Sequence, residues 1–537
     1  MPQFQGGIVV EQDSSNITHR KPVSDRAHRL GTHSLAQCCS MLALALSILV
    51  VSVVPMSNAL GFDIKDYEKK VFKDTLDNGL TIIVLERHDA PVVSMVTYAN
   101  VGSADDPKGF TGMAHMFEHM AFKGDDEIGT NDFAGEQKEI AKEESAFESW
   151  RLERSKGELA DSAKLADLEA AFKAEQDKCD SFVVTNEFGN IVEKAGFVGL
   201  NAFTSYDQTA YLYNFPENKL ELAIMLESTR FSKPVLREFH KEANVVEEER
   251  RMRTDSSPIG RLIEEFLSAA YKAHPYGIPT VGHMSDLDNL DRTEAEKFFN
   301  KYYVPNNLCI AVVGDVKAKQ VMKFAKKYLA GLKRGADIMP IQTIEPEQIG
   351  ERRIEIEDPS QAVWIAGYHV PKGSDPDRPA LDALVDYLGS GRTSLLYKKL
   401  VKETKKAIQV GAFTGFPGDK YPSMVAVYGF AAKDVQPQEL EELILGEIER
   451  LKEEKLPQEE VEKIKARAKA NFINQLNSRQ GLAIQLCTYQ MIDGDWRNLF
   501  RQLDKINAVT ADDIQRVAKK YMTKKNRTVG YIQTVKS

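Results

Sequence analysis

Cysteine is scarce in this chain, with five residues in 537. That is too few for a disulfide scaffold, and none of the five has the spacing of a metal cluster. Two of them, Cys38 and Cys39, fall in an N-terminal segment with the marks of a cleaved signal. The remaining odd set, Cys179, Cys309 and Cys487, reads as small buried hydrophobes. An excess of positive charge is also missing. Lys and Arg number 70 against 79 Asp and Glu, a net charge of −9. No basic stripe interleaved with aromatics offsets that balance, which argues against a nucleic-acid binder. Long apolar runs are absent except for one, residues 41–55. Arg20, Lys21, Arg26 and Arg29 precede it and Met56-Ser-Asn-Ala59 follows. A basic region, a short apolar core and small residues describe an export signal. Cleavage after Ala59 would leave Leu60 first, and the bacterial periplasm is the expected destination. The uncharged stretch from Ser34 to Phe62 is also long enough to stay as a membrane anchor.

Beyond that segment the composition is that of a globular protein, 42% hydrophobic and 28% charged, and the length calls for at least two domains. The chain repeats an order of elements. Leu80–Leu85 and Val92–Tyr98 read as paired strands after an Asp77-Asn-Gly79 turn, followed by the loop Gly102-Ser-Ala-Asp-Asp-Pro107 and a helix. Later, Ala362–Val370 leads through Gly373-Ser-Asp-Pro376 into a second helix, Leu381–Leu388. The ends match too, since Glu296–Tyr303 runs into Leu308–Val313 much as Ile514–Tyr521 runs into Thr528–Gln533. We therefore expect an α+β fold of two tandem homologous units, each a mostly antiparallel sheet covered by helices. The units would span 60–340 and 350–537, behind the signal segment 1–59. A stretch rich in Glu, Lys and Ala, about 136–190, predicts one or two long, solvated helices inserted in the first unit.

The densest chemistry lies in Gly112-Met-Ala-His115-Met-Phe-Glu118-His119-Met120. On a helix, His115, Glu118 and His119 fall within roughly a 100° arc. Two imidazoles one turn apart can grip one zinc ion, and the carboxylate beside them can deprotonate a zinc-bound water. Every other residue of Met113–Phe122 is apolar, so three ionisable groups would be buried there at a cost that a metal offsets. The second unit's helix carries no histidine.

A catalytic zinc needs a third protein ligand. Phe239-His-Lys-Glu242-Ala-Asn-Val245-Val246-Glu-Glu-Glu249-Arg-Arg251 places Glu242 and Glu249 two turns apart on one helix face, together with Phe239, Val245 and Val246. Glu247 and Glu248 should point elsewhere. By composition alone this is a common solvated charge run.

The set of His115-x-x-Glu118-His119, Lys241-Glu242-x-x-x-Val246-x-x-Glu249, Leu200-Asn-Ala-Phe-Thr-Ser205, His274-Pro-Tyr-Gly277 and Tyr303-Val-Pro-Asn-Asn307 resembles the pitrilysin/insulinase family of zinc peptidases, the inverzincins, over nearly all of the mature chain. The resemblance implies one half of a clamshell and a zinc-dependent endopeptidase with one Zn²⁺ per chain. His115, His119 and Glu249 would be ligands and Glu118 the general base. Glu242 would support the site from behind the ligands. Asn201, Ala202 and Phe203 would form the edge strand to which peptide substrates add.

Two departures stand out. The interval from His119 to Glu249 is longer than the family's, and the charged insertion accounts for it. Many members also carry an Arg and a Tyr seven residues apart in the second unit, where this chain has Lys402 and Gln409. Zinc subunits without that pair resemble members that work with a metal-free homologous subunit. The expected partners are therefore peptides and either a second copy or such a subunit. The rival expectation is a catalytically weak peptide-binding or scaffold subunit that depends on that partner.

Overall fold

The computed structural model describes residues 64–535; the segment 1–59, expected from its sequence to be an export signal, lies outside them. Two mixed sheets organise the chain. The first contains β1 (Val71–Thr75), β2 (Thr81–Glu86), β3 (Val92–Ala99), β4 (Val198–Thr204), β5 (Thr209–Pro216) and β6 (Leu308–Gly314), in the order β1-β2-β6-β3-β5-β4. The second contains β7 (Arg352–Asp358), β8 (Val363–Val370), β9 (Ala407–Phe416), β10 (Ser423–Ala431) and β11 (Arg527–Thr534), in the order β7-β11-β8-β10-β9. The sheets follow one plan, with the first carrying β1 as an extra outer strand. Each has a single parallel pair, β2 with β6 and β7 with β11, among antiparallel neighbours. The expected α+β class with two repeated, mostly antiparallel units is what the chain adopts.

One expectation fails. The strands at 80–85 and 92–98 are not partners, because β6 lies between β2 and β3 and bonds to both. The reason is compositional. Leu308-Cys-Ile-Ala-Val-Val-Gly314 is buried at every position, and a strand apolar on both faces belongs in the middle of a sheet covered on both sides.

The covering helices come from both units. Side chains of β2, β3 and β6 alternate between two cores. Val84, Met95, Ile310 and Val312 face helices of the first unit. Leu85, Val96, Cys309 and Val313 instead face Leu482, Leu486 and Cys487 on the helix Arg479–Ile492, which lies between β10 and β11 of the second unit. The exchange is mutual. The helix Pro258–Ala270 of the first unit places Leu262, Phe266 and Leu267 against Val363, Ile365, Met424 and Ile532 of the second sheet. Gly367 and Gly530 clear the space, since a Cβ there would stand 2.8 and 3.0 Å from the Phe266 ring. Cys179, Cys309 and Cys487 are buried and unbridged, in keeping with their expected role.

The insertion forms a helical hairpin, Phe133–Arg154 and Ser162–Asp180. Its tip is solvated, with Leu152 and Leu159 exposed. Its inner face is not. Phe147 and Phe172 pack on His240 with ring centroids 3.9 and 5.3 Å apart, and Glu143 pairs with Arg292 at 2.6 Å. Sequence composition marks the charged face of such helices and hides the aromatic residues that anchor them. Among the described residues no helix is long and apolar enough to cross a membrane.

Truncating the ring that joins the two units tests how they depend on each other. Phe266→Ala should cost about 3–5 kcal/mol and lower the urea midpoint of the whole chain in one transition. A separate early transition of one unit would show that the sheets are independent.

Candidate metal centre

The helix Met113–Met120 begins where Gly112 turns with φ +90°. The Asp106 carboxylate accepts the Gly112 and Ala114 amides at 2.7 and 2.8 Å, satisfying donors that a helix start leaves open. Phe117 packs on Phe298, Phe299 and Tyr303, and Tyr211 Oη donates to the Phe117 carbonyl at 3.1 Å. Every residue of this helix is buried. Its rotation is thus set by apolar packing, which leaves His115, Glu118 and His119 facing the helix Phe239–Arg250.

Glu249 arrives from that second helix, just before a π-helical turn at Arg251–Asp255. His115 Nε2 lies 3.7 Å from Glu249 Oε1, and His119 Nε2 lies 3.4 Å from Glu249 Oε2. Ligand atoms of His115, His119 and Glu249 all fall within 4.8 Å of one another. Glu118 Oε2 is 4.0 Å from His115 Nε2. His119 Nε2 and both Glu118 oxygens are buried without a hydrogen-bond partner, a costly arrangement in a protein interior unless a ligand completes it. Two imidazole nitrogens and a carboxylate suit zinc, with a coordination position left open.

Glu242 stands outside this set. One of its oxygens faces His119 Nδ1 at 3.3 Å and the other meets Lys123 Nζ at 2.5 Å. It can hold the ring so that Nε2 points at the carboxylate of Glu249. Lys123, in the turn just beyond the end of the His115 helix, was not anticipated. Arg253 forms an ion pair with Glu249. Two details of the Glu242 face need correction. Val245 is exposed, whereas Glu247 is largely buried and meets Arg251 at 3.1 Å. The helix is rotated so that Val246, not Val245, enters the core, because Phe239, Ala243 and Val246 form its buried stripe. Asn201, Ala202 and Phe203 lie on β4, at the outer edge of the first sheet, with Ala202 and Phe203 buried. In the second unit Gln409 donates to Tyr428 Oη at 3.4 Å, and Lys402 lies over the Tyr397 ring.

The electrostatics are those of a site holding protons in place of a cation. Burial pulls His119 down, but Glu242 and Glu249 outweigh it and raise it to about 9. Burial, reinforced by the neighbouring His119 charge, lowers His115 to about 3. Burial pushes the Glu118 carboxyl up to about 7. Glu249 goes the other way: against the effect of burial, His119, His115 and Arg253 hold it down at about 2.

Residues 82–151 and 183–283 match the family model described as insulinase (peptidase family M16), and residues 289–468 match the model described as the peptidase M16 inactive domain. The chain belongs to the M16 family, the insulinase/pitrilysin peptidases. The gap in the first match, 152–182, takes in the tip and the whole second helix of the hairpin. The zinc protease PqqE of Helicobacter pylori is 29% identical over 490 residues, which cover 90% of this chain and 97% of that protein. A crystal structure of a protease from Helicobacter pylori, also 29% identical, superposes with a TM-score of 0.72 over 86% of this chain and 99% of that one. The periplasmic protease PqqL from Escherichia coli shares the fold at 16% identity and a TM-score of 0.65; the match covers 87% of this chain but 48% of that one.

A raised His119 means that a cation must displace a proton. At pH 7 the metal-free imidazole, with its value near 9, is charged, so zinc uptake should release at least one proton. Calorimetric titrations in two buffers of different ionisation enthalpy should give different heats; equal heats would show that His119 is already neutral.

Proposed function

We propose that this chain is an exported zinc endopeptidase acting on unstructured peptides. The observation that carries the reading is the convergence of His115, His119 and Glu249 beside a buried, partnerless Glu118. Zinc held by those three ligands would act as a Lewis acid on the scissile carbonyl and acidify water at the open position. Glu118, buried beside the metal position with its carboxylate 4.0 Å from His115 Nε2, is placed to act as the general base. It takes the proton of the attacking water and returns it to the leaving amine. Glu242 fixes the ring of His119 through Nδ1. The substrate adds as an extended strand along Asn201–Phe203 of β4, reading backbone rather than side chains. Folded proteins, which offer no free extended segment, should be poor substrates. Export rests on the N-terminal sequence, residues 20–59.

A second reading is favoured by Lys402 and Gln409, which stand where many members carry Arg and Tyr. A lysine supplies charge to a developing oxyanion without the forked donor geometry of arginine. On this reading the chain binds zinc and peptide yet needs a metal-free homologous subunit for full turnover. The fact that the chain spans about half of the Escherichia coli protein is consistent with a second half supplied by another chain.

Cleavage of an unstructured quenched-fluorescent peptide separates the two. Chelator-sensitive cleavage by the purified chain, abolished by Glu118→Gln with a loss of at least about 100-fold while zinc stoichiometry stays the same, is expected of a self-sufficient enzyme. Undiminished turnover in Glu118→Gln would remove that residue from the chemistry. One bound zinc per chain without any cleavage would favour the partner-dependent reading.

A further inference from the structure

The turn that leaves the His115 helix is built around a guanidinium. Arg237 is 1% exposed and lies two residues before the Glu249 helix begins. Its Nη1 donates to the carbonyls of Lys123 and Ile128 at 2.5 and 2.8 Å, and its Nη2 donates to the carbonyl of Asp125 at 2.6 Å. The remaining donors go to Glu136 on the helix Phe133–Arg154, at 2.8 and 3.1 Å. Glu136 is equally buried. The turn is shaped to this cation. Gly124 and Gly129 have φ of +86° and +95°, and a Cβ on them would stand 3.2 and 2.6 Å from Arg237 Nη1. The turn therefore has both the backbone freedom and the empty space that only glycine supplies.

The residue whose carbonyl Arg237 holds is the one that grips the supporting glutamate. The Lys123 ammonium meets Glu238 at 2.7 Å and Glu242 at 2.5 Å, and the other oxygen of Glu242 faces His119 Nδ1 at 3.3 Å. A continuous path of charge-assisted contacts thus runs from the inserted hairpin to a histidine of the metal centre: Glu136, Arg237, the Lys123 carbonyl, the Lys123 ammonium, Glu242 and His119. A freely moving Lys123 would leave Glu242 with two competing jobs, solvating its own charge and orienting an imidazole. Fixing the backbone at 123 removes that competition.

We propose that Arg237 and Lys123 are positioning residues for the metal centre, with Arg237 clamped by Glu136 so that Lys123 holds Glu242 on His119. The proposal rests on the zinc reading above, and it assigns a task to the base of the helical hairpin. Neither side chain touches the metal position or a substrate. Both act through His119.

The test is zinc affinity of the full chain, measured by competition with a chromophoric chelator, together with the visible spectrum of the cobalt-substituted protein. Lys123→Met and Arg237→Gln should each weaken zinc binding by about 10–100-fold and alter the cobalt bands, which report ligand orientation. Lys123→Arg keeps the charge and should recover most of the affinity. Glu136→Gln, which retains an acceptor for Arg237, should shift affinity in the same direction by a smaller factor. Arg467→Gln breaks a partly buried ion pair with Asp386 in the second unit, 2.6 Å long, and should leave zinc affinity and spectrum unchanged, so that general destabilisation is distinguished from positioning. If Arg237→Gln does not fold, Lys123→Met and Glu136→Gln carry the decision. A wild-type chain that binds zinc, with Lys123→Met and Glu136→Gln within about twofold of it and unaltered cobalt bands, overturns this inference alone. A wild-type chain that takes up no zinc overturns the peptidase reading and this inference with it.

Discussion

The exchange of helices between the two units is the contact on which the rest of the molecule depends. A sheet with apolar residues on both faces needs two covers, and each unit keeps one cover and lends the other. The helix Arg479–Ile492 closes the outer face of the first sheet, while Pro258–Ala270 closes one face of the second. β3 and β6 are thereby buried on both sides, and the His115 helix lies across the neighbouring strands β4 and β5 of the same sheet with no exposed residue. The edge strand β4 stays at the margin of the same sheet. The candidate metal site and the strand edge are thus held by one slab, whose stability is shared with a unit that has no histidine in the matching helix.

Charge is managed differently at equivalent places in the two units. In the first, His119 and Glu249 join the helix after β3 to a helix following β5. In the second, the corresponding helices are Arg378–Gly389 and Gln458–Asn477, and Asp386 and Arg467 join them. A direct ion pair closes on itself and leaves nothing to coordinate. Two imidazoles and a carboxylate with partnerless atoms beside them do not close, and the cost of burying them is offset only when something cationic sits between. The same fold therefore carries an open polar site in one unit and a sealed one in the other. The support for the open site extends outwards through Glu242 and Lys123 to Arg237 and Glu136, so the charged insertion is in contact with the chemistry it looked remote from.

Much of this was legible in the residues. His115-x-x-Glu118-His119 on an otherwise apolar helix carries its own meaning, because helical spacing alone puts the three groups on one side and apolar neighbours imply burial. The repeat was legible from the order of strand, Gly-Ser loop and helix. Glu249 was not legible by itself. A Glu-Glu-Glu-Arg-Arg string has no periodicity that separates a ligand from a solvated face, and resemblance was needed to choose among its acids. The same blindness made Val245 look buried and Glu247 exposed, since a half-apolar helix can rotate by one residue at little cost in local propensity. Lys123 and Arg237 carried no signal of their own, because their partners are backbone carbonyls and acids from distant segments.

By itself, then, the sequence determined the local conformations, the pair of histidines one turn apart, the absence of such a pair in the second unit, and the two-fold repetition of the chain. These are properties of spacing and side-chain type within one element. Tertiary structure decided which acid meets the histidines, which strand enters the middle of the first sheet, which helix covers which face, and how the insertion is anchored. Those outcomes depend on contacts between residues far apart in the chain, where the energy comes from shape and buried charge that no local pattern records.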